Sequence, residues 1–275
     1  MIHRCLKGGL LGAVLLLLSI LVYAETLEYE ASYKGVLTAG KKFSIASVQL
    51  EHHKKTMGQA KQEVEQITLQ VSSQSYPFVE KRFPFRVRYR SLYDPQAARV
   101  LALEKYKKTT KTVHEIAWVD KNAGQLLRFR PKGRNAGKRV FPVSLNTWLG
   151  GRKTFEFHKY SPVQVPLQLL DYLSLLHRVR FLPLAKGDDY RFKVTDGKHL
   201  FDYRVRVENH RNIKIQGKKR KAWKLRFDGR EDGEKEPDHR PLFVWIQDDE
   251  KRTPLLFENR HPLGRFIVSL TSAIQ

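Results

Sequence analysis

Apolar and polar residues alternate with a period of two along most of this chain, most cleanly between residues 184 and 270. DYRFKV, LFDYRVRV and AWKLRF interleave apolar with basic positions, and LFVWI and TPLLF flank the polar turn from Gln247 to Arg252. Such alternation predicts an antiparallel meander with one buried face. Upstream, Leu27, Tyr29, Ala31 and Tyr33 mark a strand. Phe43, Ile45, Val48 and Leu50 mark a second, and the slip in spacing after Ile45 predicts a bulge. His52-His53-Lys54-Lys55 with Gly58 reads as a polar connection. Further strands are expected over residues 64–71, 85–90, 100–106, 113–119 and 126–130, with a hairpin loop at residues 120–124.

Only residues 167–179 break this rhythm convincingly. Leu169, Tyr172, Leu173 and Leu176 fall at helical spacing, Leu170 and Leu175 widen the stripe, Pro162 and Pro166 precede it and Pro183 follows. The fold class that results is mainly β: a large curved antiparallel sheet or open half-barrel with one Leu-rich helix packed across it.

Composition adds a location. His3, Arg4 and Lys7 precede an apolar run over residues 8–22, which is short for a membrane span and ends in Val22-Tyr23-Ala24. This pattern predicts residues 1–24 to be a signal peptide cleaved after Ala24, the alternative being a retained anchor. Residues 25–275 are then expected to form a single all-β domain exported to the periplasm. The only cysteine, Cys5, leaves with the leader, so neither disulfides nor thiolate metal sites are expected.

Charge narrows the partners. Lys and Arg number 51 against 28 Asp and Glu, giving +23 in a chain of 275 residues. Outside the cytoplasm, such a balance points to anionic lipid head groups or acidic envelope polymers, with peripheral membrane contact, rather than to nucleic acid. Opposite the apolar face stand Arg86, Arg88, Arg90, Arg128, Arg130, Arg191, Lys193, Arg204, Arg206, Lys224 and Arg226. The ordinary reading is a solvated face whose long stems cover neighbours; the functional one is an anion-binding surface. Asp202 is the one acid noted among them. The apolar face is aromatic, and Leu169, Tyr172, Leu173, Leu176, Tyr203, Trp223 and Trp245 are the candidate lining of an apolar groove between helix and sheet.

Motifs for chemistry are weak. Residues 133–138 fall short of a phosphate loop, Asp120-x-Asn122-x-Gly124 suits a hairpin turn better than a calcium loop, and the acids of residues 228–238 read as a solvated loop. The histidines stand singly apart from His52-His53, and adjacent carboxylates such as Asp248-Asp249 point apart on a strand. No catalytic residue, metal ligand or cofactor site is therefore assigned.

Asp171-x-x-Ser174-Leu175, Arg180, Leu184-x-x-Gly187, Asp196-Gly197, Val205-x-Val207, Gly217, Val244-Trp245-Ile246-x-Asp248-Asp249, Pro254 and Leu263-Gly264 resemble the bacterial domain-of-unknown-function family numbered 3108. Tyr33-x-Gly35 and Ala39-Gly40 fit it more weakly. The resemblance implies an exported envelope protein of mostly antiparallel β-structure and no particular activity. Gln247, where the family usually has Ser, and the basic run Lys218-Lys219-Arg220-Lys221 depart from its pattern. Two functional expectations follow: a non-enzymatic envelope binding protein holding an acyl chain or anionic lipid in an apolar groove with a basic rim, or a scaffold docking its basic face on an acidic polymer or protein. A hydrolase ranks behind both.

Overall fold

The computed structural model describes residues 24–57, 62–131, 138–139, 148, 155–159, 162–233 and 240–274. The expected signal segment, apart from Ala24, and the basic loop at residues 133–137 lie outside them, as do Glu234, Glu236 and Asp238.

The first meander comprises β1 (Ala24–Gly35), β2 (Lys42–Met57), β3 (Gln62–Ser72), β4 (Arg86–Asp94), β5 (Arg99–Lys108), β6 (Thr112–Asp120) and β7 (Gln125–Pro131). A short helix α1 (Pro77–Arg82) lies between β3 and β4. Four short strands follow: β8 (Lys138–Arg139), β9 (Phe155–Lys159), β10 (Val163–Gln164) and β11 (Leu170–Asp171). Next come helix α2 (Tyr172–Arg180) and the second meander, β12 (Asp189–Thr195), β13 (Leu200–Ile215), β14 (Lys218–Glu231), β15 (Leu242–Gln247), β16 (Pro254–His261) and β17 (Gly264–Ile274). Each meander pairs its strands in sequence order. β1 also pairs with β17 along its length, from Thr26 opposite Ile274 to Gly35 opposite Gly264, so the two meanders form one sheet. The bulge expected after Ile45 is present, where Ala31 faces Ala46 and Ser32 faces Ser44.

The sheet is curved and open. A strap lies between its outer strands β7 and β12: Val163 and Gln164 pair with β7, Leu169 bridges Arg99, and Leu170 and Asp171 run parallel to β12. The strap then enters α2. Here the structure corrects the sequence reading of a helix from residue 167. Leu167 is exposed and Leu169 to Asp171 are extended. Asp171 is the N-cap: its carboxylate accepts the N–H groups of Leu173 (2.7 Å) and Ser174 (3.1 Å), and the Ser174 hydroxyl accepts the Asp171 N–H (2.8 Å). This capping box, not the upstream proline, sets the start.

α2 lies against the inner face of both meanders. Leu173 joins a cluster with Leu27, Tyr29, Val48 and Leu50, while Leu175 and Val179 join Val194, Val205, Leu225 and Val244. Each buried leucine contributes roughly 1.5–3 kcal/mol. At the other end of α2, Arg180 forms a buried bidentate pair with Glu25 (2.6 and 2.7 Å) and donates to the carbonyls of Lys251 (2.9 Å) and Arg252 (3.1 Å).

A second correction concerns β2. The stretch around His52 is not a connection, because the strand continues to Met57 and His52 is buried. A third concerns β15, where Phe243, Val244, Trp245 and Ile246 are all buried. Val244 lies opposite Leu225 and Trp245 opposite Lys224, so Trp245 and Phe243 point away from the inner face. Lys224 stands over the Phe243 ring at 4.0 Å and the Trp245 ring at 5.5 Å. The aromatic lining expected on one face is thus divided between two.

Candidate functional site

Between α2 and the sheet lies an apolar cavity of about 380 Å³. The helix contributes Tyr172, Leu173 and Leu176, the first meander Val48 and Leu69, and the second Tyr203 and Phe257. Every lining side chain is aliphatic or aromatic. The volume falls within the range of small-molecule sites, about 300–1000 Å³. Of the seven residues expected to line a groove, Tyr172, Leu173, Leu176 and Tyr203 do so. Leu169 is buried instead beneath the strap, where its carbonyl accepts the Val100 N–H (2.7 Å). Trp223 stacks on His210 and donates its indole N–H to Asp248 (3.0 Å), and Trp245 lies on the far side of β15.

The position of Tyr203 depends on Gly229, directly opposite on β14. A Cβ at Gly229 would lie 2.4 Å from the Tyr203 ring. Gly229→Ala is expected to displace that ring and lower stability by roughly 1–3 kcal/mol; urea denaturation measures the loss. Tyr203 also borders a second, polar cleft of about 490 Å³, lined by Arg191, Arg204 and Arg230 with Asp202 and Asp228.

Most of the basic candidates are already engaged. Arg86 pairs with Glu80 (2.8 Å), Arg128 with Glu115 (2.8 Å), Lys193 with Asp232 and Asp202 (both 2.9 Å), and Arg226 with Asp228 (2.8 Å). Arg204 binds Asp189 and Lys224 binds Glu208. Arg88 and Arg90 both approach Glu104, and Arg90 also lies over the Trp148 ring at 4.8 Å. Asp202 is therefore far from the only acid near these cations, and most of the basic row expected from the sequence is engaged in ion pairs, several of them across neighbouring strands. Arg191 and Arg206 have no carboxylate within ion-pairing distance among the described residues. Arg130 belongs to β7, and its side chain lies outside the described residues.

Glu104 anchors two of these pairs. Burial by itself would raise its pKa, but the hydrogen bond from His114 and the charges of Arg90 and Arg88 outweigh burial and hold it at about 2 against an ordinary 4.5. A carboxyl depressed on folding contributes stability above its unfolded pKa and loses it as the pH falls through the folded value. Glu104→Gln should accordingly lower the melting temperature at pH 7. The difference from the wild type should shrink below pH 4.5 and vanish towards pH 2, as thermal denaturation across that range would register.

The turn from Asp248 to Arg252 closes the β15–β16 hairpin. Asp248 accepts from Trp223 and pairs with His210 (2.9 Å), and Asp249 accepts the Arg252 N–H (2.9 Å). These contacts occupy both carboxylates with structural work. Gln247 accepts a hydrogen bond from Arg220 (2.8 Å), a member of the basic run after Gly217. One histidine cluster escaped the sequence reading altogether: His52, Glu65 and His177 converge beside a third cleft. The signal for it was the phase of Leu50, His52 and Lys54, which continues the alternation of β2.

The architecture defines a class: a curved, open antiparallel sheet clasping a capped helix over an apolar cavity. The sequence model of the family described as "Protein of unknown function (DUF3108)" matches residues 28–271, and the chain belongs to that family. Asp171-x-x-Ser174 is its capping box here, and Arg180 its buried cation. No curated protein matches the chain. A solved structure with a similar course is a beta-barrel-like protein of domain of unknown function DUF1849 from Brucella abortus. The two are 10% identical, with a TM-score of 0.48 over 92% of this chain and 97% of that one. Neither comparison carries evidence of catalysis.

Proposed function

We propose that this protein is a non-enzymatic binding protein of the bacterial envelope that holds an acyl chain beneath α2. The cavity of about 380 Å³ carries the reading, because its lining is predominantly aliphatic and aromatic, with only tyrosine hydroxyls as polar groups, and so favours burial of a hydrocarbon chain. Tyr203, shared with the arginine-lined cleft, links this apolar space to a place where an anionic head group would meet Arg191. The N-terminal export pattern supports an envelope location. Docking of a basic face on an acidic polymer is the weaker reading, since most of those cations already have carboxylate partners.

The test is extraction of untagged protein, purified without detergent, followed by mass spectrometry of co-purifying lipids. A parallel assay measures uptake of a fluorescent fatty acid and of anionic lipid from vesicles at low salt. Retained lipid and saturable uptake are expected. Val48→Phe, which fills the cavity, should reduce uptake at least tenfold while leaving the circular dichroism spectrum unchanged. No co-purifying lipid together with no uptake by the wild type would sink the proposal.

A further inference from the structure

His177, in the last turn of α2, faces away from the acyl cavity towards β2 and β3. Its Nε2 lies 2.8 Å from Glu65 Oε2, and His52 Nε2 lies 3.4 Å from the same oxygen. In the β2–β3 register, His52 pairs with Ile67 and Lys54 with Glu65, so His52 and Glu65 are diagonal neighbours on one face. The two imidazoles are 4.4 Å apart between ring centres. One donor atom from each of the three residues lies within 4.8 Å of the others. All three residues are no more than 9% exposed, yet they border an open cleft of about 470 Å³.

We propose that His52, Glu65 and His177 form a binding site for a borderline divalent metal ion of the zinc type, with an open coordination position towards the cleft. Two imidazole nitrogens and one carboxylate oxygen suit zinc and its neighbours, whereas magnesium and calcium favour all-oxygen shells. Tetrahedral ligands about 2.0–2.2 Å from zinc lie roughly 3.3 Å from one another, close to the separations between Glu65 and the two imidazoles. A structural hydrogen bond to Glu65 needs one histidine, but two from different elements converge on the same oxygen.

Tyr93 supplies an independent observation. It lies directly opposite Glu65 in the β3–β4 register, its ring sits edge-on to His177 at 6.3 Å, and it borders the same cleft. It is 1% exposed, and its hydroxyl has no hydrogen-bond partner among the described residues. A buried hydroxyl left in this way is costly unless something completes it, and a metal-bound water or anion in the open position would do so. Lys54 and Arg178 line the cleft as well. Their charges oppose a bare cation and favour an anionic fourth ligand, such as a carboxylate or phosphate.

The bound ion would tie the end of α2 to the first meander. This inference does not depend on the acyl-binding proposal, and its test needs no lipid. Untagged, chelator-treated full-length protein is titrated with Zn²⁺ and the bound metal counted. Binding of one zinc per chain and a higher melting temperature with zinc than with chelator are expected. His52→Ala and His177→Ala should each weaken binding at least tenfold, whereas His261→Ala, at the exposed end of β16, should not. X-ray absorption of the zinc-loaded wild type gives a readout that survives any folding defect in the variants. Two imidazole nitrogens and a carboxylate oxygen around the metal support the site. Fewer than two imidazoles, or binding well below one zinc per chain, overturns it.

Discussion

Arg180→Leu is expected to lower the unfolding free energy by roughly 3–5 kcal/mol, the usual cost of removing one member of a buried ion pair. Arg180 is 3% exposed and Glu25 2%, so the carboxylate left behind has no access to water. The loss includes the donors to the carbonyls of Lys251 and Arg252, which fasten the β15–β16 turn to the end of α2. For a domain of this size, the melting temperature should fall by about 10 °C. Pairing Arg180→Leu with Glu25→Leu should recover part of the loss, since an apolar pair leaves no stranded charge. The two carbonyls would still lack their donor, so recovery should be incomplete. Differential scanning calorimetry of the single and double variants decides this, and a double variant no better than Arg180→Leu would show that the ion pair is not the source of the loss.

Asp171→Ala should cost about 3 kcal/mol, combining a lost helix cap with newly unpaired buried donors. Asp171 is fully buried, caps Leu173 and Ser174 and also accepts the Ser91 hydroxyl from β4. Burial raises its carboxyl pKa, while the hydrogen bonds from Ser91, Ser174 and Leu173 work against that rise. Asp171→Asn keeps an acceptor oxygen and should lose markedly less than Asp171→Ala. Chemical denaturation orders the two variants. Equal losses would mean that the charge, not the hydrogen-bond geometry, holds the helix start.

Alternation made the strands legible wherever a strand presents one buried and one outer face, and the bulge after Ile45 could be read from a slip in phase. Pairing was less accessible. Arg90 faces Glu104 across β4 and β5, and Arg204 reaches Asp189 across β12 and β13, but neither partnership is visible along a single strand. A row of arginines therefore looked like an open cationic surface. The same limit hid His177, which meets His52 and Glu65 only once α2 is laid across the sheet. The division of Phe243 and Trp245 from Val244 was concealed differently: β15 is apolar on both faces, and a continuous apolar run carries no phase. The two departures from the family pattern, at Gln247 and the basic run, looked unrelated in sequence, yet Arg220 and Gln247 are in contact.

The placement of β1 between β2 and β17 has a consequence for how the chain folds. Thr26 finds Ile274 as its neighbour, so the seam joining the two meanders closes only when the last strand is available. Contacts of such sequence separation demand loop closure before they give any return, and they slow folding. The first meander can assemble early, but β1 then has a bare edge until the C-terminal strand arrives. The seam in a nascent chain therefore stays open until β17 has emerged, and loss of β17 should leave that edge open to pairing with other chains.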